Sequence, residues 1–464
     1  SAVTCASGRA GQVEPLTLPR QPLDVLCQQI LGMCCTRMWS REELFTLVKR
    51  SSCFEDLGWK DFIDVVNYLL GRDQEGKSWV PARLKEVGDR ITIRREKEAR
   101  ILRRNLGTIL SENALTVRCE EGDTHREIGE VDEAYADRLQ PGDRFLLDGR
   151  CLEYSRRDGA AVEVREILGR PRVPIWLGSG WPMASQLAER LFLLRTQAGE
   201  MLREGFESLL AHLVREYQLS GPTLEQLARF FQEQESISEI PGPHDLLVEM
   251  VALPCRETTY FLHTPLNRLA NDALARVLVR RLARIGGDVG RVEVADLGFS
   301  IGVSRTIPDF SDRLRQLLEV ENFEVDLVQQ LSESEGLRNR FGRVAQTGLM
   351  VLRQPEGRKR KVGGSEWASR SLFDRVRHRD PNFVLMRQAL AEMLEEVCDC
   401  RSALDYLHRL PHRTIRVRQL DRPSPFVRAW SQLEVGDGSN VQSPGESLKQ
   451  LHTELMGEKG ALAG

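Results

Sequence analysis

Between Pro22 and Arg95 the apolar residues change period, and that change constrains the fold more than any other feature of the chain. PLDVLCQQILGMCC places apolar side chains at 23, 26, 27, 30, 31 and 34, the spacing of one helix face, with Pro22 suited to the first turn. Ser40 and Glu43 form a capping box that opens a second helix, REELFTLVKR. A third, WKDFIDVVNYLL, offers Trp59, Phe62, Ile63, Val66, Leu69 and Leu70 for burial. WVPARL and RITIRR then alternate like two short strands.

Three helices followed by a two-stranded wing predict a winged-helix domain over 21–98. From 99 to 182 the texture is β-rich: LTVRCE, REIGEV, DRFLLDG, CLEYS and DGAAVEV are short strand-like runs broken by EGD, PGD and DGR turns. Helices dominate 183–430, with strand-like interruptions near ETTYFLH and VEVADLGFSIGVS. One helix there has Thr264 as cap, Pro265 at the first position, a helical period from Leu266 to Ile285 and a Gly286-Gly287 stop, with Arg276, Arg280 and Arg284 on its outer face. Residues 1–20 read as a tail or the remnant of a preceding domain, and 431–464 as a flexible tail. The expected fold class is therefore α+β: a winged helix, a small antiparallel β domain and a larger, mainly helical α+β domain. A chain of 464 residues is too long for one core and fits this division.

Composition excludes some functions. No apolar run reaches the roughly 18 residues that span a bilayer, so no membrane partner is expected. SAVTCASGRAGQVEPL has neither the basic nor the apolar region of a signal peptide. It also lacks a starting Met, as a processed, trimmed or incomplete product would. Ten cysteines, two of them adjacent at 34 and 35 and none in a C-x-x-C pair, read as reduced thiols in the cytoplasm. The net charge of −3 conceals local basic strips. Residues 90–104 carry seven positive and two negative side chains, and 353–379 carry nine and three. Such strips suit either a polyanion groove or solvated, charge-rich faces.

Residues 71–78, GRDQEGKS, spell the phosphate-binding loop of nucleotide hydrolases. That loop needs a strand before it and a helix at its Lys-Ser step. Here a helical period precedes it, Pro81 follows it, and Asp73 and Glu75 would repel phosphate. Gly71 reads as a helix stop and Gly76, Lys77 and Ser78 as wing-loop residues, with Lys77 at most touching a nucleic-acid backbone. Cys398, Cys400, His408 and His412 are of zinc-binding types, but their spacing is not that of a finger or knuckle, and they fall on the amphipathic helix AEMLEEVCDCRSALDYLHRL. His263 reads as a turn or core histidine. No catalytic residues, cofactor or metal are assigned.

PRQPLDVLCQQI, RNLGTI, LQPGDRFLLDGR, VPIWLGSG, FLHTPLNRLANDALARVLVRRL and DRVRHRDPNFVLMRQALAEML, in that order, resemble the large helicase-related (Lhr) family over about residues 18–430. Members are ATP-driven helicases that move 3′ to 5′ on single-stranded DNA, with two RecA-like motor domains before the winged helix. The resemblance implies that this chain is the C-terminal region, carrying the winged helix and the DEAD/H-associated domain. No genuine phosphate loop, D-E-x-H box or arginine-finger motif is found, so ATP and Mg2+ belong to motor domains in cis or in trans. What carries over is a track for single-stranded DNA or an RNA:DNA hybrid. Trp176, with Trp181 as its nearby alternative, maps to a base-stacking tryptophan, and Ile109 to an apolar residue set against a base. A Trp after Pro also suits a plug between domains, and Ile109 also suits a strand core. Arg94, Arg95, Arg100, Arg103 and Arg104 are phosphate-contact candidates. Arg358, Lys359, Arg360 and Lys361 line a channel exit or form a solvated loop. Lys60, Asp61, Asp64 and Asn67 are the expected exposed positions of the third helix; two carboxylates make that face a poor groove reader and suit a strut between motor and track. The alternatives from other classes are a free-standing nucleic-acid-binding or partner-docking protein and a zinc-dependent enzyme.

Overall fold

The structure is a computed structural model that describes residues 2–12, 14, 18–73, 76–108, 114–121, 124–132, 136, 142–147, 150–158, 161–167, 183–242, 244–252, 258–332, 334–352, 365–429 and 431. It is α+β and divides into two compact units, each discontinuous in sequence. One comprises Ser1–Glu14, Met183–Phe323 and Arg401–Gly464; the other comprises Pro15–Pro182 and Glu324–Cys400.

The second unit begins with the winged helix. Helix Leu23–Cys34 buries all six apolar positions of its predicted face. The capping box forms: Ser40 Oγ accepts from the Glu43 amide and the Glu43 carboxylate accepts from the Ser40 amide, starting helix Arg41–Val48. Helix Trp59–Leu69 completes the trio. Its buried face differs from expectation. Trp59 is 44% exposed, Ile63 is only half-buried, and Val65 and Tyr68 are buried instead. Trp59 stands in the first turn, where it packs edge-on against Phe45 rather than entering the core.

The wing is also shifted. Its strands are Leu84–Val87 and Arg90–Ile93, paired Val87 to Arg90 around Gly88-Asp89, with Trp39–Ser40 on the far edge of Arg90–Ile93. WVPARL is not a strand as expected, because Pro81 has no N–H for a ladder. Five further strands form the β sheet in the order 124–132, 114–121, 161–166, 150–158, 144–147. All its pairs are antiparallel except 114–121 with 161–166. Leu115, Val117 and Cys119 alternate onto its core face beside Phe145, Leu152, Val162 and Val164.

Helices Glu335–Thr347 and Val384–Glu392 pack on Leu23–Cys34 in the same unit. The helix expected over AEMLEEVCDCRSALDYLHRL is broken. A π-turn at Met393–Val397 is followed by Asp399 in a left-handed conformation (φ 35°), and a new helix runs Cys400–Arg409. Asp is among the few residues that tolerate such a backbone, and the extra residue of a π-turn shifts the helix face.

In the other unit, residues Ala2–Arg9, at the place of the expected tail, form a helix. It packs Val3 into the core of helices Ser185–Glu204, Phe206–Tyr217 and Gly221–Ile237. The sheet has the strand order 289–295, 298–303, 258–263, 245–252, 414–420, and only its last pair is parallel. Strands Asp245–Ala252 and Thr414–Leu420 were not anticipated from sequence. Helix Arg268–Arg284 is capped by Asn267, whose side chain accepts from the Ala270 amide; Thr264 instead donates to Asn271. Its end at Gly286-Gly287 agrees with expectation, with Gly286 at φ 78°. Arg276 on its outer face pairs with Asp272.

His263 is fully buried, with Nε2 3.3 Å from Glu249 Oε2. Burial alone would raise the Glu249 carboxyl, but His263 and hydroxyl donors including Ser424 outweigh it and hold the group at about 2. Gln234 bridges this carboxylate and the Phe426 amide, so the node fastens the end of the described chain to the sheet.

One buried carboxyl in the winged-helix unit is strained in the opposite sense. Asp24 is 5% exposed, and burial, with Glu392 and then Glu396 adding repulsion, raises its pKa from 3.8 to about 7. Its native proton is bound more tightly than its unfolded one, so its stabilisation is complete below about pH 4 and is lost as pH rises through about 7. Asp24→Asn is therefore expected to flatten the decline in stability between these values and to be more stable at pH 8 by on the order of 2 kcal/mol. Urea unfolding across pH 4–8 checks this; an unaltered pH profile in the variant refutes it.

Candidate nucleic-acid interface

The densest described basic segment lies just after the wing. Arg94 and Arg95 leave strand Arg90–Ile93, with the Arg94 amide bonded to the Arg83 carbonyl at 2.9 Å. Helix Glu96–Asn105 follows. Ala99 and Asn105 are buried, so the helix is seated on one side, and Arg100, Arg103 and Arg104 are exposed at i, i+3 and i+4. Among the described residues Arg94, Arg100, Arg103 and Arg104 have no ion-pair partner. Two of them stand in the last turn, where cations oppose the negative end of the helix dipole. Arg103 also faces Cys35, at the end of helix Leu23–Cys34. Burial pushes that thiol up, and the guanidinium works against the shift. Guanidinium groups held this way can bind phosphate oxygens without first breaking an internal pair.

The chain leaves the arginine helix at Leu106 and turns at Gly107, whose φ of 124° suits only glycine. Gln28 holds that turn from the winged helix. Its Nε2 donates to the Gly107 carbonyl at 3.1 Å, and its Oε1 accepts from the Gly107 amide at 2.9 Å. Nε2 also donates to the Thr347 carbonyl at 2.6 Å. Two more side chains continue the row: Tyr68 Oη donates to the Gly348 carbonyl at 2.9 Å and Arg83 to the Leu349 carbonyl at 3.3 Å. Three successive carbonyls at the end of helix Glu335–Thr347 are thus capped by the winged helix.

The third winged helix is not an exposed face. Asp61 and Asp64 are half-buried and both receive the Arg387 guanidinium at 2.7 Å, from helix Val384–Glu392; Lys60 also pairs with Asp64 at 2.9 Å. Their exposure was overestimated because a helical wheel cannot show a partner more than three hundred residues away.

The described residues of this stretch, 71–73 and 76–78, follow a helix end and pair with one another, which is not the strand–loop–helix setting of a phosphate loop. Gly71 at φ 80° ends helix Trp59–Leu69: its amide bonds to Tyr68 O, and the Arg72 amide to Asn67 O. A Cβ there would lie 2.6 Å from the Val80 carbonyl oxygen. An Arg72–Ser78 bridge closes the turn, and Arg379 pairs with Asp73 at 3.3 Å. Lys77 is exposed, but the wing's own tip is Gly88-Asp89, so Lys77 does not lie on it. Trp176, Trp181, Ile109 and Arg358, Lys359, Arg360 and Lys361 lie outside the described residues. Cys398 and Cys400 are buried, while His408 and His412 are exposed; burial raises the Cys400 thiol to about 11. Among the described residues no three His, Cys, Asp or Glu side chains come together as a metal site. No described helix is long and apolar enough to cross a membrane.

Gln28 and Arg387 escaped sequence reasoning. Gln28 borders an apolar helix face next to Cys27, and a polar residue at the edge of a buried stripe was its only signal.

A winged helix with a covered third helix, a β sheet and a helix-and-sheet unit make up an α+β region bearing a cationic helix. A family profile described as "Large helicase-related protein, winged helix domain" matches residues 7–173, and one described as "DEAD/H associated" matches 240–427. The chain is 30% identical over 99% of its length to ATP-dependent helicase Lhr-Core protein 2 of Thermococcus barophilus, of which it spans 53%. It is 28% identical over 98% of its length to ATP-dependent helicase Lhr-Core of Methanocaldococcus jannaschii, of which it spans 52%. Its fold is similar to that of Mycobacterium smegmatis helicase Lhr, in a structure described as bound to ssDNA and AMP-PNP. The TM-score is 0.68 at 20% identity, covering 92% of this chain and 50% of that one. The chain is a region of the large helicase-related (Lhr) family that carries its winged-helix and DEAD/H-associated domains, both accessory domains, and spans about half the length of the curated relatives it matches.

Arg387→Ala would leave Asp61 and Asp64 without their shared partner on a half-buried face. We expect a loss of about 1–3 kcal/mol in urea unfolding, with oligonucleotide affinity unchanged. A large affinity loss would mean that this face reads nucleic acid.

Proposed function

We propose that this chain is the nucleic-acid-tracking C-terminal region of an Lhr-type ATP-dependent 3′–5′ helicase. It guides single-stranded DNA, or an RNA:DNA hybrid, for RecA-like motor domains present in cis or in trans. The observation that carries the reading is the exposed face of Arg100, Arg103 and Arg104, with Arg94, on the segment that leads into Gly107-Thr108-Ile109. Family likeness at both ends of the chain supports it, as does likeness in fold to a helicase whose structure is described with single-stranded DNA. The engaged third winged helix favours a strut over a sequence reader.

In this reading the arginines, with Arg95 and Lys77, hold phosphates. Trp176 stacks on one base, worth about 1–3 kcal/mol, and Ile109 lies against another. Arg358, Lys359, Arg360 and Lys361 line the exit. The segments 21–98, 99–182 and 183–430 act as winged helix, β-rich domain and DEAD/H-associated domain. ATP and Mg2+ are used by the motor, and the protein works in the cytoplasm.

Binding of a fluorescent single-stranded oligonucleotide at graded salt tests this, with an ATPase assay alongside. Affinity should fall with salt, and Arg100, Arg103 and Arg104 changed together to Ala should reduce the log–log slope by about 2. In the complete enzyme Trp176→Ala should uncouple ATP use from unwinding. Salt-independent binding, ATP hydrolysis by this chain alone, or undiminished unwinding by the Trp176 variant would each count against the reading.

A further inference from the structure

Gln28 belongs to the first helix of the winged helix by sequence, yet its side-chain hydrogen bonds reach Gly107 and Thr347, in other segments of its unit. The side chain is 3% exposed. Its primary amide meets the Gly107 peptide in both directions, Nε2 to O at 3.1 Å and N to Oε1 at 2.9 Å, much as a neighbouring strand would. The paired bonds fix the orientation of that peptide as well as its position. Leu106 has already left helical geometry (φ −66°, ψ 149°) and Gly107 is at φ 124°, so the clamped peptide stands at the point where the chain departs from the helix. The third bond, to Thr347 O, anchors the amide itself and prevents it from rotating. Gly107 stands three residues after Arg104 and two before Ile109.

We infer that Gln28 is a positioning residue for strand contact: by clamping the Gly107 peptide it sets the direction in which the chain leaves the arginine helix, and so where the Gly107-Thr108 backbone lies relative to Arg100, Arg103 and Arg104. This rests on the proposed role of that helix in holding a nucleic-acid strand. A side chain that merely capped helix Glu335–Thr347 would need only the bond to Thr347. Tyr68 and Arg83 are such caps, each donating to one carbonyl of the same row.

Fluorescence anisotropy with a single-stranded oligonucleotide separates the two roles. Gln28→Met keeps the volume and removes all three bonds, whereas Tyr68→Phe removes one bond of the same helix cap and leaves Gly107 alone. Both should lower stability in urea. Only Gln28→Met should weaken binding, by roughly tenfold, with the salt slope unchanged because the cations remain. Gln28→Glu supplies a second readout that also serves if the Met variant fails to fold. Its carboxylate would face two carbonyl oxygens at neutral pH, while its protonated form can donate to one of them, so affinity relative to wild type should recover as pH falls. Equal affinity losses in the Met and Phe variants, wild-type affinity in a folded Met variant, or a Glu variant that tracks wild type at every pH would overturn the inference and leave the strand-holding reading standing. A wild-type chain that binds no oligonucleotide would remove both.

Discussion

A helix that ends inside a protein leaves carbonyl oxygens that must find donors, and the winged-helix unit is organised around one such end. At the close of helix Glu335–Thr347 the backbone serves Val344, Ala345 and Gln346 through the amides of Gly348, Met350, Val351 and Leu349. The next three carbonyls have their donors on residues 28, 68 and 83. An unmet carbonyl in such a place would cost about 1–3 kcal/mol, so the three bonds fix how this helix meets the winged helix. Gly348 permits a close approach at the same point, since a Cβ there would come 2.8 Å from a Leu385 methyl and push that side chain aside. Donors, close approach and the left-handed Leu349 (φ 60°) form one joint.

That joint is one of several contacts that tie the winged helix to the rest of its unit. Its third helix gives Tyr68 to the cap, Asp61 and Asp64 to Arg387, and its terminal turn, through Asp73, to Arg379. Leu23 at the start of the first helix bonds to Gln388, which in turn donates to Glu392. Each contact uses a side chain or terminus that a free winged helix could turn towards a nucleic-acid groove. The cationic helix Glu96–Asn105 is left presenting its arginines, and Gln28 connects its exit to the same joint. Stability and the proposed function therefore draw on the same hydrogen bonds.

The local features of this arrangement were legible in the sequence. The Ser40–Glu43 capping box, the glycine stop at Gly71 and the six-residue buried face of the first helix are settled within one or two turns of chain. The strand alternation of 114–119 was legible for the same reason. The cationic character of 94–104 was legible too, but not which arginines lack partners. Departures came where a neighbour distant in sequence decided the outcome. Trp59 kept the helical period yet stayed exposed. The 414–420 strand is parallel to 245–252, a partner that lies far away in the sequence. The helix over 391–410 broke at a π-turn that no residue type advertises.

By itself, then, the chain's order of residues determined periodicities, caps, turns and the sign of local charge, because each depends on neighbours a few positions apart. Its motifs in series also sufficed to indicate the Lhr family. Only the tertiary structure decided that Asp61 and Asp64 serve an arginine at 387, and that a glutamine at 28 holds a peptide at 107. Hydrogen bonds act over about 3 Å, and a linear sequence carries no record of which remote groups will come that close.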